Sequence, residues 1–155
     1  MKSILFVCLG NICRSPMAEE VFRQHVIKMG KEDEWIIDSA GIGAWHVGNL
    51  PDHRMRRAAS SHGYELTMRA RQVKSSDFDS FDYIVAMDEE NVHDLQRVAA
   101  DIEKSKKILK MASFLSEHPG QHTIPDPYYG EEKDFHFVIE LLEDSVKALW
   151  ERVRS

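Results

Sequence analysis

Apolar residues are spaced along the chain in two rhythms. Short, mainly apolar runs occupy Ser3 to Cys8, Trp35 to Ser39, Tyr83 to Met87 and Lys107 to Met111, each bounded by polar or glycine-containing stretches. Such runs are the pattern of strands buried on both faces. Between them the spacing becomes helical. Pro16 to Met29 carries Ala18, Val21, Phe22 and Val26 and stops before Gly30, a suitable C-terminal stop. Glu19 and Glu20 are expected in the first turn of this helix, where its dipole favours acids. A second helix is expected over Pro51 to His62, and a third from the cap residue Asp88 to about Ala99. The clearest pattern follows Asp134, read as an N-cap: Phe135, Val138, Ile139, Leu142, Val146, Leu149, Trp150 and Val153 recur at helical spacing and mark one long helix with a buried face. Its aromatics belong to the core and not to a cofactor site.

Strand and helix in alternation predict an α/β fold, a single domain over residues 1–155 with a parallel sheet covered by helices on both faces. In such sheets ligands bind outside the carboxyl ends of the strands, and the loop after the first strand, Cys8 to Ser15, belongs there. Ser113 to Lys133 lacks periodicity and contains Pro119, Gly120, Pro125, Pro127 and Gly130. Loops of that length are commonly functional, and the proline-ordered, aromatic part from Ile124 to Gly130 is the part expected to act.

Composition narrows the function. Hydrophobic residues at 43% and charged residues at 30% suit a globular domain and exclude a fibrous or disordered chain. A formal net charge of -6 argues against nucleic acid as a partner. The one basic cluster, His53-Arg54-Met55-Arg56-Arg57, reads as a solvated helix face. The apolar run Ile4 to Leu9 is too short for a secretory core or a membrane span, so no membrane partner is expected and the expected location is the cytoplasm. Two cysteines form no disulfide framework and would stay thiols there.

Both cysteines lie in the loop after the first strand. Leu9, Gly10, Asn11, Ile12 and Cys13 leave the strand through residues that tolerate tight turns, and Arg14 and Ser15 lead to Pro16, the expected first helical residue. Successive loop amides and a helix N-terminus aimed at one spot form an anion cradle, to which Arg14 adds a planar fork for phosphate oxygens. Thiols beside such a field titrate as low as about 3.5 to 7.5, so Cys8 is expected to be a thiolate, helped by the Ser15 hydroxyl. The loop has neither GxxxxGK[ST] nor GxGxxG, so no nucleotide is implied. A nucleophile attacking phosphorus needs an acid for the leaving oxygen. Asp126, set between Pro125 and Pro127 on a stiff turn, is the candidate. Ile12, Tyr128, Tyr129 and Trp45 are candidate walls for an aromatic ring. His118 and His122 are separated by Pro119 and Gly120 and make no helical metal pair, so neither a metal nor another cofactor is expected.

The stretches V-C-L-G-N-I-C-R-S-P at Val7 to Pro16 and D-P-Y-Y-G at Asp126 to Gly130 resemble the low-molecular-weight protein tyrosine phosphatases. Asp38-Ser39-Ala40-Gly41, His62-Gly63, Ala70-Arg71-Gln72, Phe81 to Ile84 and Met87-Asp88 are similar to the family in order and spacing. The resemblance implies a four-stranded parallel sheet in the order 2-1-3-4 and a metal-free, two-step reaction: Cys8 takes the phosphoryl group, and Asp126 acts first as acid and then as base. It implies that Asn11 holds the loop through Ser15 and Ser39, with His62 near the site. It implies that Cys8 and Cys13 can form a protective, reversible disulfide. Tyrosine-phosphorylated proteins would be the substrates, inorganic phosphate the product, and the chain a monomer or weakly self-associating. One departure is Met68, where the mammalian members place a histidine shortly before Ala-Arg-Gln; a partner of Asn11 is thereby expected to be missing. An arsenate reductase, a protein arginine phosphatase (which has threonine where this chain has Ile12) and a phosphotyrosine-binding module without turnover remain the alternatives.

Overall fold

The computed structural model describes all 155 residues. Its sheet has four parallel strands, β1 Lys2–Cys8, β2 Trp35–Gly41, β3 Tyr83–Ala86 and β4 Ile108–Lys110, in the expected spatial order β2-β1-β3-β4. The helices are α1 Arg14–Lys28, α2 His53–Ser61, α3 Asp77–Ser80, α4 Glu89–Ala99, α5 Ile102–Ser105 and α6 Glu132–Val153. None of them is long and apolar enough to cross a membrane.

The side-chain alternation of β1 divides the interior. Ile4, Phe6 and Cys8 join a core of 30 buried residues shared with α1, α2 and α6, whereas Leu5 and Val7 join a second core of 10 that includes Phe78, Phe81, Leu95 and Ala99. With both faces covered, β1 is apolar from Ile4 to Cys8, which explains its run. The tryptophans of the larger core pack edge to ring: Phe22 stands 5.4 Å from Trp35 and 6.1 Å from Trp150, centroid to centroid.

Several boundaries differ from the sequence-based expectation. α1 begins at Arg14, two residues before Pro16. The first turn of any helix has N–H groups without intrahelical partners, so proline is tolerated at the third position as well as the first. Glu19 and Glu20 therefore lie beyond the first turn; both are buried and pair with Arg23. The N-cap of α2 is Asp52, whose carboxylate accepts from Arg54 N at 2.8 Å. The N-cap of α6 is Glu131 and not Asp134, which sits at the third helical position and closes a capping box by accepting from Glu131 N at 2.7 Å. β2 continues to Gly41 because its pairing with β1 runs in register as far as Cys8↔Gly41. β3 and β4 are shorter than expected, and Met87 is occupied elsewhere.

That occupation shapes the long loop. The Met87 carbonyl accepts from Ile124 N at 2.9 Å and from Thr123 Oγ1 at 3.3 Å, which ties the loop to the carboxyl end of β3 and buries Ile124 completely. Upstream, the buried Asp144 of α6 accepts from Ser116 Oγ at 2.8 Å, from the Ser116 and Glu117 amides, and from His118 Nδ1 at 2.8 Å. Burial would raise the Asp144 carboxyl, but these donors outweigh it and hold the group down at about 2. Asp126 thus projects two residues beyond the point at which the loop is fastened to β3.

Candidate active site

The loop from Leu9 to Cys13 joins β1 to α1 with a single residue in the left-handed region, Asn11 at φ 57. Asparagine tolerates that region better than most residues. The loop lies hard against the end of β2, where a Cβ on Gly41 would sit 2.9 Å from the Gly10 carbonyl carbon and 3.0 Å from Asn11 N, so only glycine permits the approach. Asp52 N donates to Ile12 O at 2.8 Å and fastens the other side to the start of α2. No amide N–H from Leu9 to Ser15 donates to a protein acceptor. A row of free donors at a helix N-terminus is the arrangement that binds a phosphate.

Cys8, at the end of β1, is 2% exposed, and its sulfur lies 3.1 Å from Ser15 Oγ. Cys13 is buried beside it. Burial, reinforced by the negative potential of Cys8, Asp52 and Asp126, pushes the Cys13 thiol well above its ordinary range, so this second sulfur keeps its proton. Arg14 is 2% exposed, unusual for an arginine. Its Nη1 donates to Asp88 Oδ2 at 2.6 Å and to Ile124 O at 3.0 Å, while Nη2 stands 3.6 Å from Asp126 Oδ2. Its Nε is buried without a partner. Burial would lower the guanidinium, but the Cys8 sulfur, the Asp88 hydrogen bond and the Asp126 charge outweigh it and the net direction is upward. A fixed cation with an orphaned donor asks for an anion, and a tetrahedral oxyanion in the cradle would complete it.

Asp126 enters from the far side. Its Oδ1 accepts from Tyr128 N at 3.1 Å, a turn that orients the carboxylate and leaves Oδ2 toward Arg14. Cys8, Arg14 and Asp126 line one cleft of about 330 Å³ together with Leu9, Gly10, Ile12, Cys13, Trp45, His46, Tyr128 and Tyr129. Every expected wall residue is present. Tyr128 and Tyr129 meet edge to face at 4.9 Å, and Tyr129 and Trp45 form an outer rim, 96% and 70% exposed. Trp45 is seated over Gly43, where a Cβ would fall 1.9 Å from its ring.

Behind the loop Asn11 uses its full capacity. Nδ2 donates to Ser15 Oγ at 2.8 Å and to Ser39 Oγ at 3.0 Å, and Oδ1 accepts from Arg71 N at 3.0 Å. Met68 therefore leaves no gap in the asparagine's bonding: the Arg71 amide serves as the third partner. His62 is not brought to the loop. It bonds through Nε2 to His136 Nδ1 at 3.0 Å and faces Glu143, because the C-terminal end of α2 packs on α6.

Sequence reasoning missed four participants. Asp88 was expected only as a helix cap; it caps α4 with Oδ1, 2.8 Å from Asn91 N, and clamps Arg14 with Oδ2. His46 lines the cleft beside Trp45. Arg54 departs from the solvated-face reading of its cluster, held by Asp52 with its guanidinium 5.4 Å from the Tyr128 ring and 4.8 Å from that of Phe135; Arg56 and Arg57 stay exposed. Glu19 accepts from Ser39. Of these only the Asp88 cap signal was local, and nothing local announced its pairing with Arg14.

Fold and site together define a small parallel α/β domain whose first strand ends in a buried cysteine, followed by a loop of free amides and a buried arginine. The family model for low molecular weight phosphotyrosine protein phosphatases matches residues 3–155, and the chain belongs to that family. The low molecular weight phosphotyrosine protein phosphatase of Gallus gallus is 44% identical over 152 residues, spanning 98% of this chain and 96% of its own length. That of Homo sapiens is 41% identical, spanning 97% and 95%. A crystal structure of a protein tyrosine phosphatase from Entamoeba histolytica superimposes with a TM-score of 0.95 at 42% identity, covering 99% of this chain and 97% of the other.

Proposed function

We propose that the chain hydrolyses phosphotyrosine in proteins, and small aryl phosphates, through a cysteinyl phosphate. The Cys8 thiolate attacks phosphorus, the S–P bond forms as the P–O(aryl) bond breaks, and Asp126 gives its proton to the departing phenolate oxygen. Asp126, now ionised, takes a proton from water; the water oxygen attacks phosphorus, the S–P bond breaks, and inorganic phosphate leaves with the thiolate restored. The free amides of Leu9 to Ser15 and the Arg14 fork would hold the three equatorial oxygens of the transferring group. The observation that carries this reading is the convergence of Cys8, Arg14 and Asp126 on one cleft in which a buried Arg14 nitrogen has no partner.

Tyrosine-phosphorylated proteins are the substrates this reading calls for, with action in the cytoplasm. Ile12, Trp45 and Tyr128 would sandwich the ring while the cradle receives the phosphate, and Asn11, Ser15 and Ser39 would hold the loop in shape. Phosphate release from matched phosphotyrosine, phosphoserine and phosphoarginine peptides tests the assignment. Phosphotyrosine is expected to lead by about 10²-fold, because a short phosphoserine loses both the ring contacts and reach. Phosphoarginine cleaved at least as fast would replace it with arginine phosphatase activity. Arsenate reduction is disfavoured: Cys8 and Cys13 are the chain's two cysteines, and no third is present to relay a disulfide.

Redox sensitivity belongs to the same proposal. Peroxide would oxidise Cys8 to the sulfenic acid, and the Cys13 thiol would condense with it, forming the disulfide and releasing water. Peroxide-treated wild type is expected to regain activity with dithiothreitol, and Cys13→Ser to regain much less. Equal recovery in both removes Cys13 from a protective role.

A further inference from the structure

We propose that Glu19 is a positioning residue for the nucleophile: its buried carboxylate sets the direction of a hydrogen-bond chain that ends with the Ser15 hydroxyl donating to the Cys8 sulfur. The proposal rests on the reading of Cys8 as the attacking group. Nothing in the reaction itself calls on Glu19, yet it is 4% exposed on the helix that carries the cradle, and a carboxylate is costly to bury unless it has work and partners there. Its partners are Arg23 Nη2 at 2.5 Å and Ser39 Oγ at 2.6 Å.

Donor counting gives the direction of the first three links, and distance favours the last. A hydroxyl carries one proton, and the Ser39 proton goes to Glu19, because a carboxylate can only accept. Ser39 Oγ is thereby left as an acceptor and takes a proton of Asn11 Nδ2 at 3.0 Å. The other Nδ2 proton goes to Ser15 Oγ at 2.8 Å. The opposite amide orientation would set Nδ2 against the Arg71 N–H, which instead donates to Oδ1 at 3.0 Å. Ser15 Oγ, already accepting from Asn11, has its own proton to give. Cys8 Sγ lies 3.1 Å away, and the competing Ala40 carbonyl is farther at 3.4 Å. A donor aimed at the sulfur favours its ionised form, and links that polarise one another strengthen it. Without the carboxylate, Ser39 is free to reverse and withdraw its acceptor from Asn11, so the Arg71 N–H alone orients the amide and the Ser15 hydroxyl is held less firmly toward Cys8.

Alkylation of Cys8 by iodoacetamide, followed by mass spectrometry as a function of pH, reads this directly and needs no phosphatase turnover. In Glu19→Ala the rate near neutral pH is expected to fall about five- to tenfold and the half-maximal pH to move upward, the size of one lost hydrogen bond. The kcat/KM for aryl phosphates should fall by a similar factor whatever the leaving group, since Asp126 is untouched. Glu19→Gln keeps an acceptor oxygen for Ser39 and should stay within about threefold of wild type. A folded Glu19→Ala with the wild-type alkylation profile overturns the proposal. So does Glu19→Gln behaving like Glu19→Ala, which would assign the effect to charge. Arg23 keeps Glu20 as a partner at 2.8 Å, so Glu19→Ala does not strand it. Should Glu19→Ala nevertheless fail to fold, Ser39→Ala breaks the next link and must show the same upward shift. A normal profile there is equally decisive against the chain. If alkylation shifts as expected while even the wild type hydrolyses no phosphate ester, the reading of the reaction falls and the hydrogen-bond chain stands.

Discussion

Cys8→Ser is expected to lower the turnover of phenyl phosphate by about 10⁴- to 10⁶-fold, the scale on which enzymes lose rate when their nucleophile is removed. The reason lies in what surrounds residue 8. Its one side-chain hydrogen-bond partner is the Ser15 hydroxyl, which can donate but is no base. A thiol can ionise in the field of the cradle and Arg14, whereas a serine hydroxyl at the same place keeps its proton and attacks poorly. Phosphate affinity should survive, because the free amides of Leu9 to Ser15 and the Arg14 guanidinium are unaltered by the change. Steady-state kinetics together with phosphate binding by calorimetry separate the two effects. Wild-type and Cys8→Ser proteins with equal rates would end the assignment as a cysteine-dependent phosphatase.

Asp126→Ala carries the second large effect, and its size should depend on the leaving group. With phenyl phosphate, whose phenolate departs badly without a proton, kcat is expected to drop about 10²- to 10⁴-fold. With an activated nitrophenyl phosphate the loss should shrink to about tenfold or less, because a stable leaving group needs no acid. The geometry places the carboxylate for such a transfer: it is oriented by Tyr128 N at 3.1 Å and is partly open at the cleft mouth where the ester oxygen must pass. The Met87 and Arg14 bonds to residues 123 and 124 do not involve the Asp126 side chain, so the loop should stay in place in the variant. A uniform loss across both esters would deny Asp126 the role of proton donor.

How far these residues could be read from the chain differed from one to the next. The cradle was legible because its parts are contiguous: an apolar run, a turn containing glycine and asparagine, then arginine and a helix. Local geometry follows from local residues there. The sheet order also emerged correctly, through the family resemblance. Met68 misled, since a side-chain partner for Asn11 was expected where the fold uses the Arg71 backbone amide, and a backbone donor leaves no mark in a sequence. His62 misled for the converse reason, its match in sequence lying beside a helix end that packs away from the loop.

The chain's own residue pattern was enough to determine that strands and helices alternate, that β1 is buried, and that a thiol, an arginine and a helix start share one loop. Only the tertiary structure decided that Asp88, 74 residues from Arg14, clamps its guanidinium, that Asp126 arrives at the same cleft, and that Glu19 meets Ser39 behind the loop. Periodicity records which face of an element seeks the interior, a property of near neighbours. Which polar groups meet once those faces are buried depends on the register of strands and the packing of helices, and a hydrogen bond is made or lost within a fraction of an ångström that no residue pattern encodes.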